Sequence, residues 1–236
     1  MEALLERLEQ RLEGARNPER ALGTAQYMRN QFAYYGISSP ALRAIARDVL
    51  ADERPPDESR LRAIADAYWK RDEREWQYFA CSYVRTNIGR ASPRFLSAAK
   101  ELITTKSWWD TVDTLAAHTV GALVAATPKL GATMDEWIDS ENMWVVRTAI
   151  LHQLTYKRRT NADRLFDYCL RRSVDTEFFI RKAIGWALRE YSKSDPDAVQ
   201  RFVTDNERRL SGLSKREALK RIERGKSSSR ARSFDS

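Results

Sequence analysis

Apolar residues recur at spacings of three and four along almost the whole chain, with charged residues between them. That is the period of amphipathic helices. The opening stretch, MEALLERLEQRLEGA, is one such helix of mixed charge and lacks the layout of a signal peptide. No segment shows the strict alternation of a half-buried strand. The pattern predicts about a dozen helices, most of roughly 10 to 20 residues. Their starts are marked by Asn17-Pro18-Glu19, Ser39-Pro40, Pro55-Pro56, Ser92-Pro93, Thr127-Pro128 and Asp195-Pro196, with a turn at Gly36. Ser214 to Glu217 reads as a capping box, with Leu213 as its staple.

The apolar pattern also repeats. Val146-Arg147-Thr148-Ala149-Ile150 followed by Leu154 aligns with Ile180-Arg181-Lys182-Ala183-Ile184 followed by Leu188, an offset of 34 residues. A weaker copy lies around Trp76 to Val84. Helical hairpins repeating at roughly 33 to 47 residues are the mark of α-solenoids. No tetratricopeptide signature is present, so the expected fold is all-α: a HEAT-like α-α superhelix, a curved solenoid of helical hairpins. One domain is expected over residues 1–225, followed by a disordered basic tail over 226–236.

TKSWWDTVDT, at 105–114, breaks the plain core pattern. Ser107 is the expected N-cap, and Asp110 would complete a capping box with it. Trp108, Val112 and Leu115 form one apolar face. Trp109 and Asp113 share another face, about 100° round the helix, above the small Ala116 and Ala117. A tryptophan and a carboxylate over alanines suit a cleft wall better than a core. Similar oddities follow one repeat apart. Arg147 interrupts an apolar helix, where it could instead pair with Asp139 or Glu141. Trp186 stands one turn from Lys182, Arg189 and Glu190. Tyr27 lies among other aromatics. A lone tryptophan on a helix is more often core than site; the case for a site rests on recurrence in successive repeats.

Composition narrows the chemistry. The chain has 236 residues, 42% hydrophobic and 31% charged, with nine glycines and seven prolines. It is long enough to bury a substantial core. The formal net charge is +8, and residues 214–236 carry eight lysines and arginines against three acids, so +5 of it is concentrated at the C-terminal end. A basic arm suits a polyanion. Two cysteines and two histidines, scattered, give no metal motif and no disulfide framework. No metal and no cofactor are expected, and a reducing compartment is. No apolar run approaches the roughly 20 residues of a membrane span. Gly225-Lys226-Ser227 mimics the end of a P-loop but lacks its first glycine and a preceding strand.

Indole faces attract cations, a carboxylate stabilises positive charge and orients water, and arginines grip phosphates. Together they suit breaking an N-glycosidic bond through an oxocarbenium-like transition state. A base that is already cationic leaves without a general acid.

The stretches AQYMRNQFAYYGI, LITTKSWWDTVD, WIDSENMWVVRTAILHQLTYK, FFIRKAIGWALREYSKSDPD and LSKREALKRI resemble the AlkD-type DNA alkylation repair glycosylases, from about residue 5 to 222. The resemblance implies a monofunctional glycosylase that removes cationic N3- and N7-alkylated purines from double-stranded DNA, without base flipping, in base excision repair. It implies Asp113, Trp109 and Trp186 as catalytic residues. It implies DNA contacts for Arg147 and Tyr27, while Arg189 and Lys182 are expected to add contacts by charge and position. A monomer in the bacterial cytoplasm, at the nucleoid, is expected. Two alternatives stay open: a non-catalytic solenoid that binds branched or damaged DNA by shape and charge, and a protein scaffold whose aromatics form a partner groove.

Overall fold

The computed structural model describes the backbone of residues 2–232 and the side chains of residues 2–223. Among the described residues there is no strand; one isolated bridge joins Ala33 and Glu73. The helices cluster into two compact units, Met1–Lys106 and Ser107–Ser236.

The first unit contains α1 (Glu2–Gly14), α2 (Pro18–Tyr27), α3 (Ser39–Leu50), α4 (Glu58–Trp69), α5 (Arg74–Asn87) and α6 (Phe95–Thr104). Helix α1 packs on α3, and α4 packs on both α5 and α6. Leu4, Leu8 and Leu12 fall on one face of α1 and are buried, as the pattern predicts. Glu75 is a buried carboxylate with a structural role. It accepts the backbone N–H groups of Tyr35 (3.0 Å), Gly36 (2.8 Å) and Ile37 (3.1 Å), tying the segment after α2 to α5. A buried charge is tolerable when its lone pairs are filled in this way.

The second unit begins with α7 (Trp109–Thr114), a turn of π-helix (Leu115–Val120) and α8 (Gly121–Ala126) in unbroken succession. It continues through α9 (Gly131–Trp137), α10 (Met143–Leu151), α11 (Ala162–Arg171), α12 (Phe178–Tyr191), α13 (Pro196–Asp205) and α14 (Gly212–Arg232). The α7–α8 run packs on α10, α10 on α12, and α12 on α14, with α9, α11 and α13 as the return helices. This is the repeating hairpin architecture of HEAT-like proteins. The 34-residue step is the distance along the chain between neighbours in that row. Gly121 permits one such approach: a Cβ there would stand 2.2 Å from the His152 carbonyl oxygen. The Tyr156 hydroxyl donates to the Gly121 carbonyl at 2.7 Å across the same seam.

Several helix starts are as predicted. Asn17 caps α2 by accepting from Arg20 N at 2.8 Å, and Asp195 caps α13 by accepting from Ala198 N at 2.9 Å. Others shift. Helix α3 is capped by Ser38, one residue early, and α4 by Asp57 after the proline pair. Thr127-Pro128 opens a short 3-10 turn before α9. Ser107 is not the cap of α7: Trp108 takes that position in an extended conformation, and Asp110 accepts from its neighbour Thr111 N. The capping box at Ser214 is also not formed. The helix starts at Gly212; Ser211 Oγ accepts Ser214 N at 3.1 Å, and the Ser214 hydroxyl donates to the Arg181 carbonyl. At Ser214 the cause is a contact with a neighbouring helix, which takes the hydroxyl away from the local cap. The tail expected over 226–236 lies wholly outside the described side chains, and residues 233–236 lie outside the described residues altogether.

Candidate active site

Asp113 sits at the end of α7, where the helix passes into the π-turn. π-turns inside α-helices occur often at functional sites, because they shift side chains off the regular 3.6-residue face. Across from it, on α10, stands Arg147. Its Nε donates to Asp113 Oδ1 at 2.7 Å and its Nη2 to Oδ2 at 2.8 Å. This two-pronged grip matches the planar guanidinium to the carboxylate. A third donor, Nη1, reaches the Phe179 carbonyl on α12. The Arg147 side chain is 4% exposed, whereas that of Asp113 keeps 13%. The cation is therefore enclosed and the carboxylate has one open edge. Asp113 and Arg147 are 34 residues apart, the period of the repeat, so the stacking that defines the fold also closes this pair. Asp139, one of the partners the sequence allowed Arg147, pairs with Arg171 instead.

Burial raises the Asp113 carboxyl above the usual aspartate range, and the hydrogen bonds and charge of Arg147 pull against that shift. Behind the pair lies an aromatic cluster. The rings of Trp108, Trp144 and Phe179 stand 5.1 to 5.8 Å apart, centroid to centroid, in tilted and edge-on contacts. The apolar face predicted for α7 is thus core: Val112 and Leu115 are buried and Trp108 packs in this cluster.

The open edge of Asp113 borders a cleft of about 270 Å³, which Trp186 of α12 also lines. The remaining wall includes Ala117 and His118 from the π-turn, Thr155 from the loop after α10, and Glu190 from α12. Asp113 and Trp186, 73 residues apart in sequence, therefore meet at one site. Trp109 lies half-buried on α7, one turn before Asp113. His118 escaped the sequence reading because it is five residues from Asp113. That spacing shares a face in a π-turn and not in an α-helix, and no residue pattern announced the π-turn.

Lys182 and Arg189 project from α12 on either side of Trp186. Both pair with Glu217 of α14, Lys182 Nζ at 2.7 Å from Oε1 and Arg189 at Oε2. Lys182 and Arg189 hold the Glu217 carboxyl below the usual range, the Lys182 hydrogen bond contributing most. Helix α14 comes this close because residue 185 is glycine: a Cβ there would meet Glu217 Cβ at 2.5 Å. Tyr27 belongs to the first unit, at the end of α2, and is 75% exposed. Among the described residues no group of three histidines, cysteines, aspartates or glutamates could hold a metal ion, and no helix is long and apolar enough to cross a membrane. Cys81 and Cys169 are both buried thiols.

A stack of helical pairs around a carboxylate-and-indole cleft places the chain among the helical-repeat proteins. Residues 8–222 match the family described as DNA alkylation repair enzyme, and the chain belongs to it. A solved structure described as a predicted DNA alkylation repair enzyme from Enterococcus faecalis is 34% identical, with a TM-score of 0.80, and the match covers 87% of this chain and 95% of that one. Two Streptococcus mutans structures share the fold at 18% identity. They are smu.31, with a TM-score of 0.59 over 75% of this chain and 91% of its own, and AlkD2, with 0.58 over 76% and 87%. No curated protein matches the chain.

Proposed function

We propose that the chain is a DNA glycosylase that hydrolyses the N-glycosidic bond of cationic N3- and N7-alkylated purines in duplex DNA. The observation that carries this is the Asp113 carboxylate, clamped by a buried Arg147 and open on one edge to a cleft it shares with Trp186. A protein that merely held phosphates would gain nothing from a carboxylate at that place, because like charges repel.

In this reading the C1′–N bond breaks and its electron pair leaves with the purine, which is already cationic and needs no proton. Positive charge grows on the sugar ring. Asp113 stabilises it at close range, in a site too dry for water to screen it well. The faces of Trp109 and Trp186 add their negative quadrupoles. Water then attacks C1′ and passes its proton to the Asp113 carboxylate or to solvent. The raised affinity of Asp113 for protons favours the first route. Arg147, enclosed at 3% exposure, acts through Asp113, fixing its rotamer and its charge, in place of the direct phosphate contact expected of it. Lys182, Arg189 and Tyr27 are assigned to the DNA backbone.

The test is direct. Protein without added metal or cofactor is incubated with methylated duplex DNA, and released bases are identified by chromatography and mass. Free 7-methylguanine or 3-methyladenine is expected, and Asp113→Asn should bind the duplex but release less than a hundredth as much, the scale on which one electrostatic stabiliser acts. Salt-sensitive binding with no release by the unaltered protein would replace this reading with a non-catalytic DNA binder.

A further inference from the structure

A second and larger cavity, about 590 Å³, opens next to the Asp113 cleft in the same unit. The two share a ridge formed by Leu154 and Glu190, which line both. Its floor is apolar, made by Ile150, Leu165 and Ala187, all buried. Its rim is cationic. Lys157, Arg158 and Arg159 form a 3-10 turn at its mouth, and all three are exposed. Among the described residues neither Lys157 nor Arg158 takes part in an ion pair, and Arg159 lies 5.9 Å from the Tyr156 ring centroid. Lys157 adopts a φ of 56°, a left-handed conformation uncommon for lysine. The acid on the ridge is ion-paired, since Glu190 accepts from Lys193 at 2.6 and 2.7 Å.

From this juxtaposition of an apolar floor and three projecting cations beside the Asp113 cleft, we infer that the cavity is a subsite for one unstacked nucleotide of the bound DNA strand. Its base would lie on Ile150, Leu165 and Ala187, and its phosphate on Lys157 and Arg158. The inference rests on the DNA-binding half of the reading above and not on glycosylase chemistry. The occupant is an anion with a flat apolar body. The volume exceeds what a single base needs and so admits the sugar as well. Charge favours a phosphodiester, since unpaired guanidinium and ammonium groups attract phosphate and release condensed counterions when they bind it. Position favours a strand over a free nucleotide: a backbone engaged at Asp113 has only to cross the Leu154–Glu190 ridge to reach the cavity.

The experiment measures binding and does not depend on excision. Duplexes carrying a tetrahydrofuran abasic analogue, with 2-aminopurine at each nearby position in turn, are titrated with the full chain. Anisotropy reads affinity, and 2-aminopurine fluorescence reads unstacking. One position on the analogue-bearing strand is expected to brighten several-fold. Lys157→Gln/Arg158→Gln should weaken binding by about tenfold near 0.1 M salt and lower the log–log salt slope by about two. Ser194→Trp, which fills the cavity from its wall, should abolish the brightening at that position and leave the slope unchanged. The double variant alters only exposed residues, so it remains informative if Ser194→Trp fails to fold. Flat 2-aminopurine signals at every position, or a double variant with unaltered affinity and slope, would overturn the inference. Deoxyguanosine monophosphate binding that is lost in both variants, with duplex binding unaffected, would overturn the strand assignment in favour of a free nucleotide. Loss of base release in the excision assay, by contrast, would remove the glycosylase reading and leave this one standing.

Discussion

The Asp113–Arg147 pair gives the most demanding test of the site. Arg147 is 3% exposed and spends two of its three observed hydrogen bonds on Asp113. Asp113→Asn keeps the shape and one acceptor oxygen but removes the counter-charge. Breaking a buried ion pair from one side costs about 3–5 kcal/mol, because the other charge stays enclosed without compensation. Two features move this case toward the lower end. Arg147 keeps its bond to the Phe179 carbonyl. Asp113 also pays desolvation in the native protein, as its raised proton affinity records, and the amide does not. An expected loss is therefore about 2–3 kcal/mol at pH 7. Arg147→Met leaves the Asp113 carboxylate with its open edge to solvent and should cost about as much, with proton uptake relieving part of it. The double variant, with neither charge, should cost less than the two losses added, giving a coupling of at least about 1.5 kcal/mol. Urea titrations of all four proteins, followed by tryptophan fluorescence, measure this cycle. An additive cycle, with Asp113→Asn within about 0.5 kcal/mol of the parent, would show that the guanidinium is not sealed against the carboxylate and would remove the physical basis for its orienting role.

Other outcomes follow from single residues. Gly121→Ala would drive a Cβ to 2.2 Å from the His152 carbonyl, so a loss of about 1–3 kcal/mol or more is expected in thermal or urea unfolding; a neutral variant would mean that the π-turn yields freely. His152 is buried, its Nδ1–H donating to the Ala149 carbonyl at 2.6 Å, and burial lowers its pKa to about 4. The unfolded chain takes up that proton near the ordinary value of about 6.5, so the stability held above pH 6.5 is lost as pH falls from there toward 4. His152→Gln should flatten that limb of the urea-midpoint profile between pH 7 and 5, and an unchanged profile would place the acid sensitivity elsewhere. Glu217→Gln frees Lys182 and Arg189 from their shared carboxylate. Duplex binding should tighten several-fold and its salt slope steepen by roughly one to two; weaker binding would show that Glu217 positions these cations for DNA instead of competing with it.

The sequence by itself determined the all-α class, the repeat and its 34-residue step, and the core face of α7. These follow from periodicity, which is a local property that a helix must obey to bury its apolar stripe. It also marked Trp109, Asp113, Arg147 and Trp186 as residues out of keeping with plain core. Tertiary structure decided what they are to one another. That Arg147 takes Asp113 and not Asp139 or Glu141 depends on which helices stack, and the partner lies one whole repeat away. Capping boxes at Ser107 and Ser214 read well in isolation, yet α7 starts at Trp109 with Trp108 in the cap position, and Ser214 turns to the Arg181 carbonyl of α12. The π-turn that brings His118 into the cleft has no sequence signature, because one extra residue in a helical turn is settled by how neighbouring helices fit. The same holds for the second cavity. Its apolar floor comes from α10, α11 and α12 and its cations from the loop between the first two, so only the packed fold shows that they face one space.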